Sequence, residues 1–183
     1  MPLQIAFELS DADLDYFRNA LRSVKARTHS FEEREILHSA ARLTSEMGKR
    51  GLPEFIQERL QHLEQLIAML RDDEWRLEGK HRERVLGALA YFVEPGDLIP
   101  DQLPGLGFLD DAIMVELVVQ DLRPELDAYA EFCRFRAEQE RLAELDPEQR
   151  RARLKRRRRE IYQRIDERRD RRERHGGPLF ALS

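Results

Sequence analysis

Cysteine occurs once, at Cys133, so no internal disulfide can form, and the residue reads as a reduced thiol buried in a helix. Histidine is sparse: His29, His38, His62, His81 and His175 form no metalloprotease pair and neighbour no nucleophile, so they read as surface or helix-end residues. There is no phosphate-binding glycine loop, because Gly105-Leu106-Gly107 is too short and stands among prolines and acids. Long apolar runs are missing as well. A spanning helix needs roughly 18 or more apolar residues, whereas Val85 to Val93 supplies nine and Val115 to Val119 is broken by Glu116. The first residues, Met1 to Leu9, lack the basic start and apolar core of a signal peptide. No strand pair and no internal repeat stand out. These absences lead us to expect a cytoplasmic, non-enzymatic chain with no cofactor and no transmembrane span.

What is present is a helical, highly charged chain. Its 183 residues fit one domain, or one domain with an appendage; 41% are hydrophobic and 37% charged, enough for one core under an unusually charged surface. The net charge of −4 conceals an asymmetry. Residues 141–175 hold 15 Arg/Lys and 8 Asp/Glu, a balance of +7, so the preceding 140 residues carry −11. An acidic body with a basic arm points towards charged partners.

Periodicity and capping residues divide the chain into helices. Residues 3–9 read as a short extended lead-in. Ser10 with Asp13 resembles a capping box, and Leu14, Phe17, Leu21 and Val24 follow as one apolar stripe. Ser30 with Glu33 opens a second helix whose inward face is Ile36, Leu37, Ala40, Leu43 and Met47, ended by Gly48 and Gly51. A third runs from about Pro53, with Ile56, Leu60, Leu63, Ile67 and Leu70 as a seam stepping by four and three. That seam is expected to pack within this chain, the alternative being an intermolecular coiled coil, for which two heptads are short. A segment from Asp72 or Asp73 carries Trp75 and Leu77 up to Gly79. A helix from about Lys80 to Phe92 is apolar nearly all round at its end, which predicts burial. Asp110 caps a helix to about Leu122, and Pro124 restarts one bearing Leu126, Tyr129, Phe132, Cys133 and Phe135. Asp146-Pro147-Glu148-Gln149 opens a last helix, to about Arg172, which Gly176-Gly177-Pro178 stops. Trp75, Tyr91 and the phenylalanines are expected in the core or an interface. The fold class is therefore all-α: a compact bundle of six to eight helices with a long charged C-terminal helix.

The densest break in this helical pattern lies at residues 91–111. It contains Tyr91, Pro95, Asp97-Leu98-Ile99-Pro100-Asp101, Pro104, Gly105, Gly107 and Asp110-Asp111. Proline holds the chain extended and glycine admits conformations that side chains block, so this is a shaped connection. Together these residues resemble the signature of the YkvA-like family, a bacterial domain of unknown function. The resemblance covers roughly residues 80–125. It implies no catalytic residue, and although family members are often labelled membrane proteins, the aspartates and short apolar runs here argue against spanning. On this basis the chain divides into an N-terminal helical segment (1–78), a YkvA-like region sharing one core with it (79–140), a basic helix (141–175) and a tail (176–183).

Two candidate sites follow. In the signature, each aspartate has a structural role available in a turn or cap. The sharper alternative is a hard-cation site formed by Asp97, Asp101, Asp110 and Asp111, although the spacing matches no calcium loop and no histidine joins them. Residues 96–131 hold nine acids against the single base Arg123, a surface that should attract a cation, a basic partner or the chain's own arm. The second site is the arm, where Arg150, Arg151, Arg153, Lys155, Arg156, Arg157, Arg158 and Arg159 make eight basic residues in ten. Such a run suits phosphates of nucleic acid or anionic lipid headgroups. It equally suits a solvated helix braced by Glu160–Arg164 and Glu167–Arg171, with Leu154, Ile161 and Ile165 as a thin docking seam. The sequence thus leads to an interaction or adaptor protein with a protein partner or homo-oligomeric state. The alternatives are a charge-driven RNA- or ribosome-associated factor and a metal site at the aspartates, with peripheral membrane contact also open.

Overall fold

The computed structural model describes residues 10–17, 19, 32–48, 54–93, 109–141 and 146–175. The described residues form α-helices joined by turns, with no strand among them. The helices are α1 (11–17), α2 (Glu33–Gly48), α3 (Glu54–Arg71), α4 (Gly79–Tyr91), α5 (Leu109–Asp121), α6 (Arg123–Arg141) and α7 (Pro147–His175). The expected lead-in, Leu21, Val24, Ser30, Gly51, Pro53, the 94–108 part of the signature and the tail from 176 lie outside the described residues.

Local chemistry explains where the helices begin. The Ser10–Asp13 capping box forms: the Asp13 amide donates to Ser10 Oγ at 3.3 Å and the Ser10 amide donates to Asp13 Oδ2 at 2.9 Å. Asp146 caps α7 by accepting the amides of Glu148 (3.2 Å) and Gln149 (3.3 Å) through Oδ2, with Pro147 at the first helical position.

α3 is the hub and touches α2, α4, α5 and α6. The predicted seam is buried at Leu60, Leu63, Ile67 and Leu70, and it packs within the chain. Leu66 and Met69, outside that seam, are fully buried too. A coiled-coil stripe is narrow because it meets one partner; a helix with four neighbours needs a wider apolar arc. α5 supplies Met114, Val115, Leu117, Val118 and Val119 to the same core, and α7 adds Leu154, Ile161 and Ile165. On α2 the inward face is Ile36 and Ala40 with Thr44, while Leu37 and Met47 are partly buried.

Residues 72–78 form a compact turn between α3 and α4. Asp72 Oδ1 accepts the amides of Glu74 and Trp75, each at 3.0 Å, and the Asp72 carbonyl accepts the Arg76 amide at 2.7 Å. Arg76 (φ 50) and Gly79 (φ 57) both adopt the left-handed conformation. Glycine takes that conformation without strain, which fits Gly79 at the start of α4. The turn drives Trp75 into the core, where its ring centroid lies 4.8 Å from Tyr162, 5.1 Å from Phe132 and 5.8 Å from Tyr129. Arg82 secures the turn from α4, donating to the carbonyls of Leu70 (3.3 Å) and Leu77 (3.0 Å) and pairing with Glu33 on α2.

Candidate anion-binding face of the C-terminal helix

α7 sorts its charges by helical angle. Leu154, Ile161 and Ile165 form the centre of its docked face, and fully burying each such side chain contributes about 1.5–3 kcal/mol. Along one edge Arg150, Arg157 and Arg164 recur every seven residues and meet acids of the body. Arg150 Nη1 lies 2.5 Å from Glu74 Oε1 and its Nη2 lies 3.2 Å from Glu140 Oε1. Arg157 and Arg164 share Glu131 Oε1, at 2.8 and 2.5 Å. Arg153 donates to the buried Gln139 Oε1 at 3.4 Å. Near the start of this edge Arg136 of α6 joins Asp72 (2.7 Å) and Glu74 (3.3 Å). The hydrogen bond from Arg150 holds the Glu74 carboxyl below the usual glutamate range, against the opposing effect of burial.

The C-terminal half of α7 is pinned by a buried ionic cluster. Glu125, in the first turn of α6, is fully buried, and Arg169 grips it bidentately: Nε donates to Oε1 at 2.8 Å and Nη2 to Oε2 at 2.6 Å. Arg169 Nη2 also donates to the Asp121 carbonyl at 3.1 Å. His81, near the start of α4, places Nδ1 3.0 Å from Glu125 Oε1 and Nε2 3.1 Å from Asp166 Oδ1. Both contacts are hydrogen bonds at once when each ring nitrogen carries a proton, since carboxylates only accept. The His81 ring stacks on Tyr162 at 5.5 Å and 19°. Burial alone would raise the Glu125 carboxyl, but the hydrogen bonds from His81 and Arg169 outweigh it and hold the carboxyl low.

This cluster refines the reading of the histidines: His81 does stand at a helix end, in the first turn of α4, but away from the surface. His81 is a buried residue linking α4, α6 and α7, although His38 is exposed as expected. Sequence reasoning also missed Glu125, Asp166 and Arg169 as a group. The available signal was Arg169 following Ile161 and Ile165 at intervals of four, a cation in register with an apolar stripe.

The outward edge of α7 is different. Arg151, Lys155 and Arg159 are exposed and have no ion-pair partner among the described residues. Arg156 makes only a 3.8 Å contact with Glu160, both side chains being at least half exposed. Arg158 is half-buried and donates to the Glu74 carbonyl at 3.2 Å. The eight-residue basic run is therefore split: Arg150, Arg153 and Arg157 serve docking, Arg158 borders the turn, and Arg151, Lys155, Arg156 and Arg159 face solvent.

Among the described side chains of the acidic stretch 96–131, four acids are answered by the chain itself. Glu125 and Glu131 are taken by the arm, Glu116 pairs with Arg59 (3.4 Å) and Asp127 with Arg123 (3.3 Å). Of the signature, Tyr91 ends α4 half-buried, its ring edge-on to Phe92 at 5.1 Å. Asp110 and Asp111 fall in the first turn of α5, while Pro95, Asp97, Pro100, Asp101, Pro104, Gly105 and Gly107 lie outside the described residues. The geometry of the metal alternative therefore also lies outside the described side chains. Cys133 is half-buried on α6, with Arg136 Nη2 3.6 Å from its sulfur.

A family model described as a protein of unknown function (DUF1232) matches residues 84–117, from within α4 through the signature into α5. A Bacillus subtilis (strain 168) protein named "Uncharacterized membrane protein YkvA" is 38% identical over 76 residues, covering 38% of this chain and 70% of that protein. No solved structure matches.

Proposed function

Since this chain belongs to the YkvA-like family of proteins of unknown function, we propose that it is a non-catalytic helical interaction protein that docks peripherally on anionic membrane surfaces. The binding element is the outward face of α7. One observation carries this reading: the arm's inner cations are neutralised by the body, while Arg151, Lys155 and Arg159 remain exposed and without an ionic partner among the described residues.

Two further points support it. The Bacillus subtilis relative is named a membrane protein, yet no described helix of this chain is long and apolar enough to cross a membrane. Peripheral contact reconciles the two. The cytoplasmic leaflet is anionic, and each basic residue near it contributes about 1 kcal/mol, so three free cations give weak, reversible, salt-sensitive binding. Helix α7 is polar outside its docked seam, so the contact is electrostatic and involves little insertion of apolar surface.

The test is co-sedimentation of the full chain with vesicles of phosphatidylcholine alone and of phosphatidylcholine with phosphatidylglycerol, at low and high salt. Binding should require phosphatidylglycerol and fall with salt. The triple charge reversal Arg151→Glu, Lys155→Glu, Arg159→Glu should abolish it. Equal binding by the triple variant would remove the outward face as the binding element. Salt-sensitive binding to RNA with none to vesicles would keep the face and reassign its partner.

A further inference from the structure

The outward edge of α7 borders a cleft of about 310 Å³ against the 72–78 turn. Four cations line it: Arg76 from the turn and Arg151, Lys155 and Arg158 from α7. The three on α7 are spaced by four and three residues, so they stand one above another on the same helical face. Leu154, buried, lies among the lining residues. Two acids, Asp73 and Glu74, complete the lining.

The acids do not cancel the cations. Both Glu74 oxygens are engaged from outside the cleft, by Arg150 at 2.5 and 3.4 Å and by Arg136 at 3.3 Å. Its charge is thereby already answered. Even counting both acids in full, four cations against two acids leave +2 at the lining. Arg158 spends one donor on the Glu74 carbonyl (3.2 Å), and the rest of its guanidinium fork remains available. Arg76 is tied to Glu78 at 2.8 Å, but both side chains are about two-thirds exposed, so that pair is weak and exchangeable.

We infer that this cleft is a binding site for a phosphomonoester dianion, which rests on the outward face of α7 being a binding element. A monoester phosphate carries about −1.5 to −2 charges at neutral pH and three terminal oxygens, matching the +2 lining. Arginine forks suit such oxygens bidentately, and Lys155 supplies a point charge. A phosphodiester, with one charge and two free oxygens, satisfies the cleft less well. The volume sits at the small end of ligand sites, which fits a headgroup-sized phosphate. Two sources present this chemistry: a lipid whose headgroup is a bare phosphate, such as phosphatidic acid, and a soluble phosphate ester.

The experiment uses the full chain and phosphatidylcholine vesicles carrying either phosphatidic acid or phosphatidylglycerol, adjusted to equal surface charge. The cleft predicts at least tenfold tighter binding to phosphatidic acid. The double variant Arg76→Ala, Lys155→Ala should lose that preference while keeping residual binding to phosphatidylglycerol. Arg159→Ala, outside the cleft, should weaken both lipids equally and leave the preference intact. Displacement from phosphatidic acid by glycerol 3-phosphate supports the cleft and admits soluble esters as its ligands; preference without displacement supports it with the lipid as the source. Equal binding to both lipids overturns the phosphomonoester site but leaves peripheral docking standing. Binding to neither overturns both.

Discussion

Helix α3 buries six apolar side chains between Leu60 and Leu70, whereas α7 buries three between Leu154 and Ile165. α3 meets four other helices, while α7 runs mainly along α6. What α7 lacks in apolar contact it replaces with charge: Arg150, Arg157 and Arg164 along one edge, and Arg169 with Glu125, His81 and Asp166 at its far end. Exclusion of water holds the hub in place, while on the arm a thinner apolar seam is flanked and oriented by matched charge. The two should therefore answer differently to mutation, acid and salt.

The largest effect expected is that of Arg169→Ala. It leaves the buried Glu125 with His81 as its remaining side-chain partner and without its bidentate arginine, which costs about 3–5 kcal/mol of stability at neutral pH, read from denaturant unfolding. Replacing both partners by apolar residues of similar volume should recover most of that loss. Leu66→Ala, in the hub, should cost about 2–5 kcal/mol by opening a cavity. Acid separates the two variants. The Arg169→Ala deficit should shrink as pH falls and Glu125 takes up a proton, whereas the Leu66→Ala deficit should stay constant. A constant Arg169→Ala deficit would mean that Glu125 is not the source of the cost.

The wild-type chain should also show acid sensitivity of defined sign. Glu125 and Glu74 have native carboxyls held below their ordinary values by their arginine and histidine partners. The native state therefore releases these protons more readily than the unfolded chain. Their contribution is complete above about pH 4.3, the ordinary glutamate value, and is lost as pH falls through the lowered native values. Midpoints measured across that range should drop below it, and Glu125→Gln should flatten the drop.

Smaller effects belong to the partly exposed edge. Arg150→Ala breaks a half-exposed pair with Glu74 and should cost about 0.5–1 kcal/mol, less at high salt. The triple reversal at Arg151, Lys155 and Arg159 should move the midpoint by no more than about 0.5 kcal/mol, since these side chains are exposed. A large loss of stability there would mean that the outward face is structural.

Helices were the most legible part of the sequence, because caps and apolar spacing are local. Ser10–Asp13 and Asp146–Pro147 did as their residue types predict, whereas Asp110, expected as a cap, lies inside α5, which begins at Leu109. The docking seam of Leu154, Ile161 and Ile165 was legible for the same reason. The width of α3's buried arc was not, since Leu66 and Met69 are buried by helices distant in sequence. The ionic cluster was least legible. His81, Glu125 and Arg169 are separated by 44 residues at each step and meet only through tertiary packing. The sorting of eight basic residues into docked and free was equally hidden, because composition counts charge without saying which side of the helix the body occupies.

The most direct test is hydrogen exchange of the full chain with and without phosphatidylglycerol vesicles. Amides from Leu154 to Arg169 should be protected in both states, because the arm stays docked and binds through its outward face. Free exchange without vesicles, or loss of protection on binding, would contradict this. It would mean that the arm leaves the body and that its inner arginines make the contact.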